Sequence, residues 1–332
     1  MQNPNQKVVV CGGGGFIGGH LVGDLIRKGF KHVRCVDVKP KSEWYQVHEQ
    51  AENVVGDLNL KQAAFDATKG MDTVINLACN MGGMGFIENN KGLCMISVLI
   101  NTHLLMGAKE HGASRFFYAS SACVYNGDKQ KDKKIETFLK EEDAYPALPE
   151  DGYGWEKLFS ERMCRHFRED WKVPTRVARF HNVYGPFGTW DGGREKAPAA
   201  ICRKVIQAKM SGKHEIEIWG DGLQTRSFMY ITDCLKGIYK ITEHETFVEP
   251  INLGSSEGVT INQLVDIAED IAGVKLKRKY NLDAPKGVAG RNSDNTLIKK
   301  VFGWEPDTKL RDGLEKTYRW IHDQMASKAA SK

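Results

Sequence analysis

KVVVCGGGGFIGGHLVGDLI, residues 7–26, decides the fold. Val8 to Cys11 form a short apolar run of the kind found in strands buried on both faces, and a glycine cluster breaks it at once. Leu21 and Leu25 then recur at helical spacing, and VRCVDV (33–38) is a second apolar run. Strand, glycine turn, helix and strand in that order open a parallel βαβ unit.

The turn carries its own chemistry. Gly12, Gly15 and Gly18 end a strand and begin a helix, so backbone N–H groups can approach a pyrophosphate at the helix N-terminus. The same run also fits GxGxxG as Gly13, Gly15 and Gly18. The bland alternative is a flexible surface turn. Asp37 favours the nucleotide reading, because it ends the second apolar run 19 residues past Gly18, close to the roughly 20-residue offset at which an acid meets a ribose 2′-hydroxyl. A carboxylate there repels a 2′-phosphate, which favours NAD over NADP.

Outward from this unit the alternation recurs in DTVINLA (72–78), a long helix-like stretch to about Glu110, and RFFYASS (115–121). Strands separated by helices imply a parallel sheet covered on both faces. Past residue 178 the rhythm loosens. GPFGTWDGG (185–193) reads as a loop, 197–209 as a helix, EIEIW (215–219) as a strand, GDG (220–222) as a turn and 311–326 as a closing helix, with a frayed tail from Ser327. The expected architecture is α/β: a doubly wound parallel sheet over residues 1–178, rejoined by about 228–252, and a smaller C-terminal lobe, mainly 179–332, that faces the substrate.

Composition sets bounds. A chain of 332 residues with 41% hydrophobic and 27% charged residues can bury a sizeable core, so disorder and fibrous repeats are excluded. A formal charge of +5 suits anionic small molecules as well as nucleic acid, but short clusters such as KDKK (131–134) form no basic stripe with stacking aromatics, and no nucleic acid is expected. The eight cysteines show no CxxC pair and no metal-ligand spacing, so they read as reduced thiols of a cytoplasmic protein that holds no metal. MQNPNQK lacks a signal-peptide apolar stretch. The longest uncharged stretch, between Lys91 and Lys109, holds Ser97, Asn101, Thr102 and His103 and falls short of the roughly 20 apolar residues of a span, so no membrane is expected.

Tyr153 and Lys157 stand four apart in DGYGWEKLFSERMCRHF (151–167), a helical stretch, and so share one face. An adjacent ammonium favours a phenolate, lowering its pKa from about 10 and making Tyr153 a base for a sugar hydroxyl. Alone, such a pair is more often a surface contact. Here RFFYASS brings Ser120 and Ser121 to the sheet edge where open α/β folds bind ligands.

The glycine turn, Asp57 in VVGDL (54–58), NLA (76–78), SSACVY (120–125), Tyr153 with Lys157, RFHNVYGP (179–186) and WGDGLQTRSF (219–228) resemble the extended short-chain dehydrogenase/reductases that act on nucleotide sugars. The resemblance runs from about Lys7 to the final helix. MGGMGF (81–86), GPFGTWDGGREKAPAA (185–200) and GRNSDN (290–295) are similar to the branch that inverts C3 and C5 of a GDP-hexose. The chain departs from that branch at Val124, Tyr125 and Asn126, where an Ile-Tyr-Pro is usual, and at Ala289, where an Arg is.

The resemblance implies a Rossmann-type domain holding NAD on Gly12, Gly15, Phe16, Ile17, Gly18, Asp37, Asp57, Tyr153 and Lys157. It implies that Tyr153 takes the C4 hydroxyl proton as hydride leaves, that Ser121 bonds the same oxygen, and that Lys157 holds the nicotinamide ribose. Cys123 as base and Lys196 as acid would flank the sugar. Gly82, Ser121, Cys123, Asn182, Glu195, Lys196, Ala197, Lys204, Gln224, Arg226 and Arg291 would contact the GDP-sugar, with Arg226 and Arg291 each able to grip diphosphate. A homodimer through a helix pair is implied as well. Cys123 lies two residues beyond Ser121 and points the same way if the extended path continues. Without the resemblance a lone intracellular cysteine is a small buried hydrophobe.

Two rival readings use the same residues. Another nucleotide-sugar 4-epimerase or 4-keto-forming enzyme needs Tyr153 and Lys157 without the Cys123–Lys196 pair, and a 4,6-dehydratase would carry Asp-Glu where Ala122 and Cys123 stand. A non-catalytic NAD-sensing or RNA-binding relative would have lost Tyr153 or Lys157, and this chain has both.

Overall fold

The structure, a computed structural model, describes residues 3–131, 138–284 and 287–330. Its spine is a seven-stranded parallel sheet. From edge to edge the strands are Ile251–Leu253, Thr175–Phe180, Arg115–Ser121, Thr73–Asn76, Lys7–Cys11, His32–Asp37 and Glu52–Val55. Val8, Val9 and Val10 are fully buried, with Val8 and Val10 in the core that holds Leu21 and Leu25, and Val9 in the opposite core with Leu104 and Leu105. Period-two side chains split between two cores explain why the run is continuously apolar. Chain order reverses between Lys7–Cys11 and Thr73–Asn76, and such a reversal opens a crevice at the carboxyl ends of the strands.

The remaining strands build the lobe. Gly258–Thr260, Thr225–Tyr230, Gly290–Ser293 and Phe138–Leu139 form one sheet, with Asn182–Tyr184 also paired to Thr225–Tyr230. Glu215–Trp219 pairs with Lys277–Asn281. The edge strand Ile251–Leu253 returns the chain to the large sheet from within this second half.

Several boundaries differ from the sequence reading. The strand in DTVINLA is only Thr73–Asn76, because Leu77 and Ala78 leave the sheet to pass under the turn at Gly12. The stretch to Glu110 is broken into helices Met84–Asn89, Lys91–Ile96 and Val98–Glu110. Ser97, at the second break, accepts a hydrogen bond from the Asn80 backbone at 2.9 Å. The closing helix runs from Leu310 to Ala330, so the tail from Ser327 is helical as far as it is described. Residues 132–137, which include most of the KDKK cluster, lie outside the described residues.

The membrane argument also needs correction. By length and composition Lys91–Glu110 is long and apolar enough to span a membrane. In this fold it bends at Ser97, packs against helices Lys61–Thr68 and Asp151–Trp171, and buries Ser97 and Asn101.

Candidate active site

The crevice is lined by Gly12, Gly15, Phe16, Ile17, Gly18, Asp37 and Asp57 along one stretch, and by Ser121, Tyr153, Arg194 and Lys196 along another. Gly12 has φ +81°, and a Cβ there would come within 3.0 Å of the Ala78 backbone. A Cβ on Gly18 would lie 2.2 Å from the Gly12 carbonyl oxygen, so the turn closes only with glycine at both positions. Helix Phe16–Arg27 starts without a side-chain cap, which leaves its first-turn N–H groups without intrahelical acceptors at the crevice wall. Asp37 is buried at its strand end and accepts the Lys39 N–H at 3.0 Å. Asp57 accepts both the backbone and side-chain N–H of Asn59, at 2.9 and 2.8 Å, and so shapes the neighbouring loop. A cradle closed to any side chain, open N–H donors and an acid at the strand end fit NAD.

Helix Asp151–Trp171 carries Tyr153 and Lys157 one turn apart, and both are buried. The Lys157 ammonium lies 5.6 Å from the Tyr153 ring centroid and donates to the Ala119 carbonyl at 3.1 Å. The expected downward shift of the phenol is corrected by this environment. Burial, reinforced by the neighbouring Cys79, Cys123 and Glu156, pushes Tyr153 well above the ordinary tyrosine range, and Ser121 opposes it only in part. Burial also disfavours the Lys157 ammonium, but Cys79 and Glu156 outweigh it and raise its pKa. The two serines diverge. Both border the crevice, but the Ser120 hydroxyl donates to Glu161, which Arg179 grips at 2.9 and 2.8 Å, so the Ser120 side chain belongs to a buried structural network.

Cys123 reaches the site by a different path from the one expected. The chain leaves the extended conformation at Ser121, whose hydroxyl accepts the Cys123 N–H at 3.2 Å, and Ala122–Val124 form a 3-10 turn. The thiol nevertheless packs in one cluster with Tyr153, Cys94, Ile87 and Cys79. Burial raises its pKa, Glu150 adds to the rise, and Arg291 and Lys196 oppose it. Lys196 immediately precedes helix Ala197–Ser211, with Pro198 in the first turn. Burial pushes Lys196 down, partly offset by Cys123 and assisted by Arg291. The two glycine-rich segments meet, since Gly83 N–H donates to the Arg194 carbonyl at 3.2 Å. Gly82 sits beside them, where a Cβ would meet Phe86 at 2.7 Å.

The other substrate positions divide into three groups. Arg226 and Arg291 are register partners on adjacent parallel strands, which brings both guanidinium groups to the thiol's side of the lobe. Arg291 donates to Gln130 at 2.7 Å and to Cys123 Sγ at 3.3 Å, and lies 2.9 Å from Glu150, which puts its guanidinium directly against the thiol. Arg226 donates to the Thr225 and Val288 carbonyls at 2.7 and 2.6 Å, and burial with the Arg291 charge lowers its pKa to about 10. Lys204 and Gln224 lie together against Glu215–Trp219, bonding the Glu217 and Trp219 carbonyls at 2.9 Å each. The Gln224 Oε1 atom is buried with no partner. Glu195 pairs with Arg203 at 2.9 Å, and Asn182 donates to the Ser227 carbonyl at 3.3 Å, so both hold loops and strands in place. Ala197 is the first residue of its helix, next to Lys196.

Four neighbours of this chemistry escaped the sequence reading: Cys79, Glu150, His181 and Arg194. Cys79, His181 and Arg194 line the crevice, and Glu150 touches Cys123 and Arg291. Cys79 directly follows NLA, and His181 and Arg194 lie inside quoted motifs, so position relative to motif was their available signal. Glu150 had only its place three residues before Tyr153, where an acid reads as a helix-start residue.

Known proteins resemble this chain over nearly its whole length. GDP-mannose 3,5-epimerase 1 of Oryza sativa subsp. japonica is 43% identical over 97% of this chain and 84% of its own length. The GDP-mannose 3,5-epimerase of Arabidopsis thaliana is 41% identical over 98% and 85%. Among solved structures, MoeE5 in complex with UDP-glucuronic acid and NAD superposes with a TM-score of 0.79 at 27% identity, covering 96% of this chain and 99% of that one. The UDP-glucose 4-epimerase of Thermotoga maritima gives 0.84 at 22% identity over 96% and 100%, a likeness of fold alone. The family model described as NAD dependent epimerase/dehydratase matches residues 8–254, from the first strand through the return to the sheet. With the glycine cradle and the Ser121–Tyr153–Lys157 arrangement inside that span, the chain belongs to the NAD dependent epimerase/dehydratase family.

Proposed function

We propose that this chain is a GDP-mannose 3,5-epimerase that holds NAD and regenerates it in each turnover. The observation that carries the reading is the convergence of Cys123 and Lys196 beside Tyr153, since a 4-epimerase needs no second acid/base pair. Gly12, Gly15, Phe16, Ile17, Gly18 and Asp37 would hold the cofactor, with Lys157 at its nicotinamide ribose. Bound NAD supplies the hydride acceptor at sugar C4 and a positive charge on its ring.

Tyr153, kept protonated at rest by burial, would first lose its hydroxyl proton to water, a loss favoured by the Lys157 ammonium and the positive charge of bound NAD, and the phenolate would then take the C4 hydroxyl proton as hydride leaves C4, with Ser121 beside the same oxygen. A ketone at C4 acidifies the hydrogens at C3 and C5. Cys123 and Lys196 then remove and deliver protons at those carbons, and reversal of the first step restores the C4 hydroxyl. Gln224, with its unpartnered buried acceptor, and Lys204 support a nucleotide end along Glu215–Trp219. The GDP identity rests on the rice and Arabidopsis relatives.

The same reading includes a homodimer. Leu93, Met95, Ile96 and Leu99 on the bent helix pair, and Trp155 and Phe159 on the neighbouring helix Asp151–Trp171, are exposed apolar side chains on elements that pack together, a face suited to a second copy. That copy would cover the outer side of Lys91–Glu110, so the reading includes no membrane, and it includes no nucleic acid. All eight thiols are unpaired, in keeping with a cytoplasmic setting.

Incubation of the pure protein with GDP-mannose in deuterated water, read by NMR, tests the reaction. Deuterium at C3 and C5 is the expected result, lost in Cys123→Ala while bound cofactor is still reduced. A 4-epimer without exchange would show the rival 4-epimerase.

A further inference from the structure

We propose that Glu150 is the relay through which Cys123 exchanges its proton with solvent between the two inversions, an inference that rests on the epimerase reading and deepens it. The chemistry demands such a device. In a pyranose of manno configuration the hydrogens on C3 and C5 project from the same ring face, so one group removes both and one group opposite supplies both. After the first inversion the pair is spent: the thiol holds the abstracted proton and Lys196 has given its own away. A second inversion requires a reset.

Glu150 is built into that position. It stands at the start of helix Asp151–Trp171, yet its side chain does not cap the helix. Its backbone N–H donates to the Cys123 carbonyl at 2.9 Å, which locks the two residues together. Arg291 holds the side chains side by side, with Nη2 2.9 Å from the carboxylate and Nη1 3.3 Å from the sulfur. Burial disfavours the carboxylate, but Arg291, with Cys123 and Arg226, outweighs it and holds Glu150 below the ordinary carboxyl range, so it is charged at rest. Away from the thiol, Glu150 lines a second cavity of about 670 Å³ on the protein surface, together with Glu88, Asp128, Gln130 and Lys131. The carboxylate therefore stands between the buried sulfur and water. The other titratable or charged groups around the pair are Arg226, Lys196, Cys79, Cys94 and Tyr153.

The proton count closes. At rest one proton sits on sulfur and the carboxylate is charged; its transfer to Glu150 gives thiolate and carboxylic acid. The thiolate takes the proton from carbon, and both groups are then protonated. Glu150 releases its proton to water in the cavity, restoring the resting pair, while Lys196 regains a proton from water. Water is the only co-reactant.

Glu150→Gln is close to isosteric and tests the relay. Three results are expected. The ratio of doubly to singly inverted product falls by at least about tenfold while transient reduction of bound NAD continues. Alkylation of Cys123 by iodoacetamide, followed by peptide mass mapping, moves to lower pH by about one unit or more, because a like charge has been removed. Glu150→Asp recovers part of the product ratio. An unchanged product ratio overturns the relay. An unshifted alkylation profile overturns the coupling of Glu150 to Cys123 whatever reaction the enzyme performs, and a wild-type protein that exchanges no carbon-bound hydrogen sinks the epimerase reading instead.

Discussion

At the scale of single residues the site is governed by burial. Tyr153 and Cys123 are both pushed toward their neutral forms and Lys196 away from its charged one, so each titrates at a different pH from the same group in water. His181 is the cleanest case. Its Nε2 meets Asn252 Oδ1 at 3.0 Å, and because the Asn252 amide donates to the Leu139 and Asp294 carbonyls, that oxygen must accept and Nε2 must carry the proton. Burial lowers the imidazole from 6.5 to about 4. Above pH 6.5 the group is neutral in both states and contributes nothing to pH dependence. Between 6.5 and about 4 the unfolded chain binds a proton that the folded chain refuses, so stability falls as pH falls, by about 3 kcal/mol in all. His181→Phe should flatten this part of the stability curve, measured by urea unfolding at a series of pH values. Parallel curves for the two proteins would contradict the assignment.

At the scale of elements, turns and helix starts decide function. The turn from Lys7–Cys11 into Phe16–Arg27 was legible in sequence because glycine at such positions has few alternative explanations once a strand precedes and a helix follows. Its tolerance is narrow. In Gly18→Ala the new methyl would lie 2.2 Å from a backbone oxygen that cannot rotate away, so a loss of about 1–3 kcal/mol in stability is expected. The same displacement of the turn should weaken NAD binding at least about tenfold by calorimetric titration, because the first-turn N–H groups move with it. Unchanged affinity would place the cofactor elsewhere. The step from Ser121 into the 3-10 turn was not legible, since SSACVY reads equally well as continued strand. Only the packing of Ala122, Val124 and Tyr125 into a small core of their own bends the chain there.

For the whole molecule, the exposed apolar face over Leu93, Met95, Ile96, Leu99, Trp155 and Phe159 is where the proposed homodimer would meet. Phe159→Glu would place a charge in the middle of the proposed seam without disturbing any buried residue. Sedimentation should show a monomer with an unchanged circular dichroism spectrum, against a dimer for the natural sequence. A dimer that persists would move the contact to another face. The same face shows why Lys91–Glu110 has the length and composition of a membrane helix: one side packs in the core and the other carries the exposed apolar residues of the proposed seam.

What sequence determined by itself was local in nature: the strand-glycine-helix unit, the acid at the end of the second strand, and the helical spacing of Tyr153 and Lys157. Each follows from backbone geometry over a few residues and needs no knowledge of distant partners. Only tertiary structure decided which charges surround a group once water is gone. It placed Arg291, 168 positions away in sequence, against Cys123, drew Glu150 to both, and sent Ser120 to Glu161 while leaving Ser121 in the crevice. Those outcomes depend on the register of parallel strands and on desolvation, and both come from contacts between segments that lie far apart along the chain.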